Sequence, residues 1–517
     1  MADGRARVSL WRYSPALVLF AIAIADVRQL SDPDLWGHIL WGRELLAHGS
    51  LPLDNINSYS APDYRWLHHE WLSEVLMSAI FDRFGPLGLK VFKFLCTAGI
   101  ISFIVFAESE SPAPAVVQAM VTLFAALILL PALQFRPHLF DLLLLSVVVA
   151  LLARHNWRGS APLWLVIPIV AIWSNLHGGF FVGLAAMGAY GAAMFVFDIS
   201  TGRRPRRGLA VLAITAAAAA STLCTFLIPP ARESWHTLIF SLMNQTTHVD
   251  IVDWKPLIAS LRDAPSGSLE QKYFTVVLIF FAAAALSVIL TPKAGDAPMV
   301  AVAAVMLAAG FTAQRNIPIA TIAIVPVFAN HLGLLLRPRE SAAAAPAPEI
   351  SRRGRWAGEI VIAAVAISFL RYSGILKPGI DASGYPYDAV NFMNSRGLTG
   401  NVMADYSWGQ FVIWHGAPGT KVFIDSRYDL GYPPKVIADA MALDRGGAGA
   451  AHTLSAYPTD FVLTREGWPE ARVMDSEPDW RLIYSDGVAR LYARATSPAA
   501  HLAGVPFKGT AHPTLFP

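Results

Sequence analysis

The sequence predicts a polytopic α-helical membrane protein with about eleven spans, followed by a small α/β or α+β domain. Three observations carry this expectation. Of 517 residues, 55% are hydrophobic and only 15% charged, and the mean hydropathy of +0.46 is too high for an ordinary soluble protein. Apolar runs of near-bilayer length recur from the N-terminal region to residue 371. Beyond it they give way to short runs bounded by turn residues.

Taken in order, spans are expected at 14–31, 87–107, 114–133, 138–153, 161–175, 179–198, 208–228, 273–291, 297–313, 316–336 and 357–371. Several are shorter than the roughly 20 residues a perpendicular helix needs, so one or two are candidates for broken or re-entrant helices. The first has a basic flank (Arg5, Arg7, Arg12) and reads as a retained signal anchor, because many spans follow it. With the N-terminus cytoplasmic, Arg154 and Arg158, the cluster Arg203, Arg204, Arg206 and Arg207, Lys293, and the arginines at 337, 339, 352, 353 and 355 all fall inside. An odd number of spans then puts the C-terminal portion outside. The net charge of +3 is spread over such clusters and forms no aromatic-interleaved basic face, which argues against nucleic acid as a partner. Cys96 and Cys224 sit in apolar runs, where free cysteine behaves as a small hydrophobe, so neither a disulfide nor a cysteine metal site is expected.

This layout divides the chain into a membrane domain, 1–371, with outer loops 32–86 and 229–272, and an outer domain with its tail, 372–517. In the first loop, EWLSEVLMSAIF spaces its apolar residues like one face of a helix and is expected to lie along the interface; PPARESWHTLIF is a second amphipathic candidate. In the outer domain, VMADYSWGQFVIWHG, TKVFIDSRYD, DFVLTRE, WRLIYSD and VARLYAR read as strand-like, whereas YDAVNFMNS and PPKVIADAMAL read as helical.

Costly polar residues gather at the predicted outer ends of different spans. Asp32, Asp34 and His38 follow the first; His68, His69 and Glu70 precede the next; Arg136 and His138 stand in QFRPHLF; Asn175 and His177 in WSNLHGGF; Gln314, Arg315 and Asn316 in FTAQRNIP. Asp32 or Asp34 suits a general base or a divalent-cation ligand, although DPD also makes a good helix start. His68, His69 and Glu70 lack the spacing of a zinc helix motif, and Tyr64, Trp66 and Trp71 beside them read as interface anchors or as surfaces for a sugar. Arg136 and Arg315 present rigid donor forks suited to a phosphate, with pairing to Asp141 or snorkelling as the plainer reading of Arg136. Gly178 and Gly179 after His177 allow a bend or a close backbone approach. His248, Asp250 and Asp253 form a local cluster without a metal signature. Asp425, Arg427, Tyr428 and Asp429 in KVFIDSRYD end a strand-like run, as binding groups or as a structural pair.

The first-loop stretch DPDLWGHILWGRELLAHGSLPLDNINSYSAPDYRWLHHEW, followed by FRPHLF, NLHGGF and QRNIP, resembles the integral-membrane C-type glycosyltransferases over residues 1–371. It looks most like bacterial members of the dolichyl-phosphate-mannose protein mannosyltransferase-like superfamily. The resemblance implies a bacterial inner-membrane enzyme that transfers a sugar from a polyprenyl-phosphate donor to an extracytoplasmic glycan, lipid or protein. It also implies a divalent cation, and a catalytic acid soon after the first span, here Asp34 or Asp32. Arg315 becomes the donor-phosphate contact, with Arg136, His138, His177, His38, His69 and Glu70 as candidate substrate-binding residues. DSRYD does not match the oligosaccharyltransferase WWDYG motif, which argues against peptide N-glycosylation. The competing readings are a polyprenyl-lipid or glycan transporter, for which intramembrane Arg and His also make sense, and a noncatalytic envelope assembly protein.

Overall fold

The computed structural model describes residues 32–50, 54–66, 68–227, 252–336, 380, 384–447 and 449–509. Contacts divide these into two compact units, one over 90–227 and 252–336 and one over 32–89 and 380–509. Among the described residues, eight helices are long and apolar enough to cross a membrane. They are Trp71–Glu110, Ala115–Ala132, His138–Arg158, Phe180–Ser200, Arg206–Leu227, Leu269–Leu290, Ala294–Thr312 and Gln314–Leu335. Eight of the predicted spans fall on them. The segment expected at 161–175 is a shorter apolar helix, Leu163–Leu176, and the segments expected at 14–31 and 357–371 lie outside the described residues. PPARESWHTLIF, His248 and Asp250 lie outside them too.

In the first unit, Ile317–Leu335 is apolar around nearly its whole circumference, as a helix surrounded by other helices must be. It packs against Ala297–Thr312, Leu269–Leu290, Ala115–Leu129 and His138–Arg158.

The second unit combines the first loop with the C-terminal segment. Its first helices are α1 (Leu35–His48) and α2 (Trp71–Glu110). EWLSEVLMSAIF is helical from Trp71, as expected, and a break at Gly85 (φ 62°, ψ −160°) before Pro86 separates it from the apolar helix that follows within α2. A Cβ at Gly42 would fall 2.1 Å from the Glu74 carbonyl oxygen, so only glycine lets α1 approach α2 this closely.

The C-terminal segment forms a five-stranded sheet in the order β2-β1-β3-β5-β4, with β1 Asn401–Ala404, β2 Lys421–Val422, β3 Phe461–Arg465, β4 Trp480–Ser485 and β5 Ala489–Arg494. β1 runs parallel to β2 and β3, while β5 is antiparallel to β3 and β4. The helix-linked parallel strands and the terminal hairpin make a mixed α/β domain. Only the first part of VMADYSWGQFVIWHG is a strand. Asp405 accepts a hydrogen bond from the Ser407 N–H at 2.8 Å and caps the helix Tyr406–His415, which buries Trp408, Phe411 and Val412 on one face. The cap and the 3.6-residue period outweigh the aromatic β-propensity that had pointed to a strand.

The edge of β2 is covered by the first loop. Ser58 forms a parallel bridge with Val422; the Val422 N–H donates to Asn57 O (2.9 Å) and the Tyr59 N–H to Val422 O (3.1 Å). Pairing this edge within the chain removes a row of open backbone groups. On the other side of the loop, the Gly37 N–H donates to Gln410 Oε1 at 3.0 Å, and the fully buried Trp36 meets Tyr385 and Phe411 at ring separations of 4.4 and 5.1 Å.

Candidate functional site

At the head of α1 the two aspartates have different jobs. Asp32 is 6% exposed and its Oδ1 accepts the Asp34 N–H at 3.0 Å, closing the turn that starts the helix. Asp34 occupies the N-cap position, yet its side chain makes no cap bond to the helix. One turn on, His38 Nδ1 donates to Glu74 Oε1 at 3.2 Å, with Glu70 Oε2 3.8 Å away. His68 Nε2 bonds the second Glu74 oxygen at 2.5 Å, so one buried carboxylate is gripped by two imidazoles. His69 Nε2 lies 3.1 Å from Glu70 Oε1.

His68, His69 and Glu70 precede α2 rather than sitting in it, which frees adjacent side chains to turn toward different partners. Burial alone would depress the His38 imidazole. The Glu74 hydrogen bond and the charges of Glu70, Glu74 and Asp34 outweigh it and push the pKa from 6.5 up to about 9. His38 is therefore an imidazolium at neutral pH. Sequence reasoning missed Glu74, the hub of this cluster, because EWLSEVLM was read for its apolar face; the signal was an acid in the first turn of a largely apolar helix.

His38, Glu70 and Glu74 each offer a ligand atom within 4.8 Å of the others. One nitrogen and two carboxylate oxygens fit a divalent cation of the zinc or manganese type, provided His38 gives up its proton. Such an ion would be held by these three residues and would supply a concentrated positive charge there.

The DSRYD element folds into a second polar knot. Asp425 is fully buried and receives Arg427 Nε at 2.9 Å, Arg427 Nη2 at 2.6 Å and the Tyr432 hydroxyl at 2.8 Å. Arg427 Nη2 also donates to Asn55 Oδ1 at 2.6 Å, and its guanidinium carbon lies 4.6 and 4.9 Å from the ring centres of Trp41 and Trp66. Asp425 and Arg427 are thus the structural pair of the two alternatives. Trp66, expected as an interface anchor or a sugar platform, is buried against Trp41 at 4.8 Å.

In the first unit, the candidate residues fall into two groups. His177 Nδ1 lies 2.5 Å from Asp141 Oδ2, and Trp173 Nε1 donates to Asp141 Oδ1 at 2.6 Å. A Cβ at Gly179 would sit 2.4 Å from the Asp141 carboxyl, so the glycine permits the close approach. Asp141 therefore serves His177; among the described residues, Arg136 has an ion pair with Asp253 at 3.9 Å. His138 Nε2 donates to Ala132 O at 2.8 Å and ties down the turn before its helix. The second group centres on the 3-10 turn Val252–Trp254, where Arg315 stacks on Trp254 at 4.6 Å from one residue past the point where Arg136 meets Asp253. Gln314 anchors its own turn, its N–H donating to Lys255 O at 2.9 Å and its Nε2 to Ser260 Oγ at 2.7 Å. Arg136 and Arg315 thus border one short turn.

No family profile matches the chain. No curated protein matches it either. Among solved structures, the chain is similar to the oligosaccharyltransferase AglB of Archaeoglobus fulgidus in complex with an inhibitory peptide and a dolichol-phosphate: TM-score 0.52, 12% identity, covering 95% of this chain and 77% of that one. The apo form of the Archaeoglobus fulgidus oligosaccharyltransferase gives a TM-score of 0.53 at 13% identity over 88% of this chain and 70% of that one. The arabinofuranosyltransferase AftD from Mycobacteria gives 0.52 at 14% identity over 95% of this chain, which spans 42% of AftD. Identities this low speak for the fold alone: a helical protein with eight helices long and apolar enough to cross a membrane among the described residues, and a C-terminal mixed α/β domain, similar in fold to the Archaeoglobus fulgidus oligosaccharyltransferase and to AftD.

Proposed function

We propose that this chain is a bacterial inner-membrane glycosyltransferase that moves a sugar from a polyprenyl-phosphate donor to an extracytoplasmic glycan or lipid, with its C-terminal unit in the periplasm. The observation that carries the reading is Asp34 at the head of α1, beside the His38–Glu74–His68 cluster, in a chain with the fold of membrane glycosyltransferases. Asp32 closes the turn, and Asp34 directly precedes the aromatic-rich helix α1, which favours Asp34 as the acid that acts as base.

In the reaction, Asp34 takes the proton of the acceptor hydroxyl as that oxygen attacks the anomeric carbon. The bond between that carbon and the donor phosphate oxygen breaks, and the electron pair leaves with the polyprenyl phosphate. In the first unit, Arg315 is the candidate phosphate contact: its stack on Trp254 uses the face of the guanidinium, while phosphate is recognised by the N–H edge. Arg136, at the same turn, adds a second positive charge. His138 and His177 hold their loops through Ala132 and Asp141, and Glu70 pairs with His69 and lies 3.8 Å from His38.

Proteoliposomes given a labelled polyprenyl-phosphate sugar test the reading. Label should appear in an added glycan or lipid acceptor, together with free polyprenyl phosphate, with D34N inactive and D32N active. Label crossing the bilayer without a new glycosidic bond would make the protein a transporter instead.

A further inference from the structure

The DSRYD knot and the acid–imidazole cluster lie on the same pieces of chain. Trp41 is three residues after His38 on α1, one turn along the same face. Trp66 is two residues before His68, and its ring meets the His68 ring edge-on at 4.8 Å. Arg427 stacks on both tryptophans and bonds Asn55 between them in the sequence, so a single guanidinium touches the first loop at three points that lie between the cluster's two imidazoles, His38 and His68. That guanidinium is in turn fixed by the two bonds it donates to Asp425, which also accepts the Tyr432 hydroxyl.

We propose that Arg427 is a positioning residue for the transfer reaction: through Trp41 and Trp66 the C-terminal domain sets where α1 carries Asp34 and His38 relative to His68 and Glu74. Arg427 itself stays away from the reacting atoms. It acts because a planar fork can satisfy Asp425 and Asn55 with its edge while stacking with its face, a combination a lysine ammonium cannot make. An α1 displaced by about 1 Å would lose on the order of 100-fold in rate, since a base works only within hydrogen-bond reach. The inference rests on Asp34 being the base.

The test uses the full-length protein in nanodiscs, with R427M and R427K compared with R490M, which breaks the more exposed pairs of Arg490 with Glu466 and Asp475 in the same unit. Turnover is expressed per folded molecule. R427M should lower kcat at least about tenfold with the donor KM held within about twofold, R427K should recover part of the loss, and R490M should match wild type. D34N and D34N with R427M should turn over equally, because both changes act on one base. Spin labels at positions 47 and 455 give a readout independent of activity: one narrow distance in wild type and R490M, a broadened distribution in R427M. If R427M does not accumulate, W41L, which leaves the Asp425–Arg427 pair in place, is measured the same way, with the same expected outcome. Wild-type kcat and an unchanged label distance in the folded variant would overturn the proposal. Should D34N retain turnover, the base assignment fails, and the label distance still decides whether Arg427 holds α1.

Discussion

Arg427 and Arg315 make the same contact, a guanidinium 4.6 Å from a tryptophan ring, and are put to opposite uses. Arg427 is 9% exposed, and its edge is taken up by a buried carboxylate and an asparagine. Arg315 is exposed, on a turn at a break between two membrane helices. An indole therefore orients a guanidinium in both places, while burial and a facing acid make a rivet of Arg427; under the proposed function the exposed Arg315 is the one that meets the donor phosphate.

The sharpest way to break the comparison is to remove one partner of each. R427M leaves Asp425 buried without its cation and should cost about 3–5 kcal/mol of stability in the second unit, whereas R315M should change stability by less than ~0.5 kcal/mol. Thermal unfolding of the two purified variants checks this, and equal losses would erase the distinction.

The next effect is on pH. Because His38 is raised in the folded protein, its contribution is complete below pH 6.5 and is lost as pH rises through about 9. The full span corresponds to about 3 kcal/mol. Denaturation of wild type between pH 6 and 10 should show this decline and H38Q should flatten it; parallel curves would remove His38 from the account. The same proton competes with any cation at His38, Glu70 and Glu74, so manganese or zinc should bind more weakly at pH 6 than at pH 9, as calorimetry on the full protein would read.

A smaller effect separates the catalytic roles. Loss of a charge-assisted bond to phosphate is worth about 1.5–3 kcal/mol, so R315M should raise the donor KM roughly 10- to 100-fold, with R315K in between. An unchanged KM would return Arg315 to a structural role. Smallest of all, D32N keeps an acceptor for the Asp34 N–H and should cost no more than about 1 kcal/mol, with transfer rates within about threefold of wild type.

Much of the membrane part was legible because a span announces itself through length and hydropathy alone, which need no partner. The polar sites were less so. Asp34, His38, Arg136, His177 and Arg315 stand out as charges against apolar flanks, but Glu74 hides in an amphipathic helix start, and its importance comes from His38, 36 residues earlier in the chain. Likewise nothing local in DSRYD tells a knot from a binding site: the answer lies in Asn55, Trp41 and Trp66, brought in from the first loop. YSWGQFVIWH was misread because its aromatics favour a strand in isolation, while the Asp405 cap and buried face act through the fold.

The measurement that bears most directly on the central claim is the single-turnover rate of sugar transfer by D34N at saturating polyprenyl-phosphate donor, with donor binding measured on the same sample. The account predicts binding close to wild type and transfer slowed by about 100-fold or more, the range expected when a general base is removed. Transfer at the wild-type rate by donor-loaded D34N would contradict it.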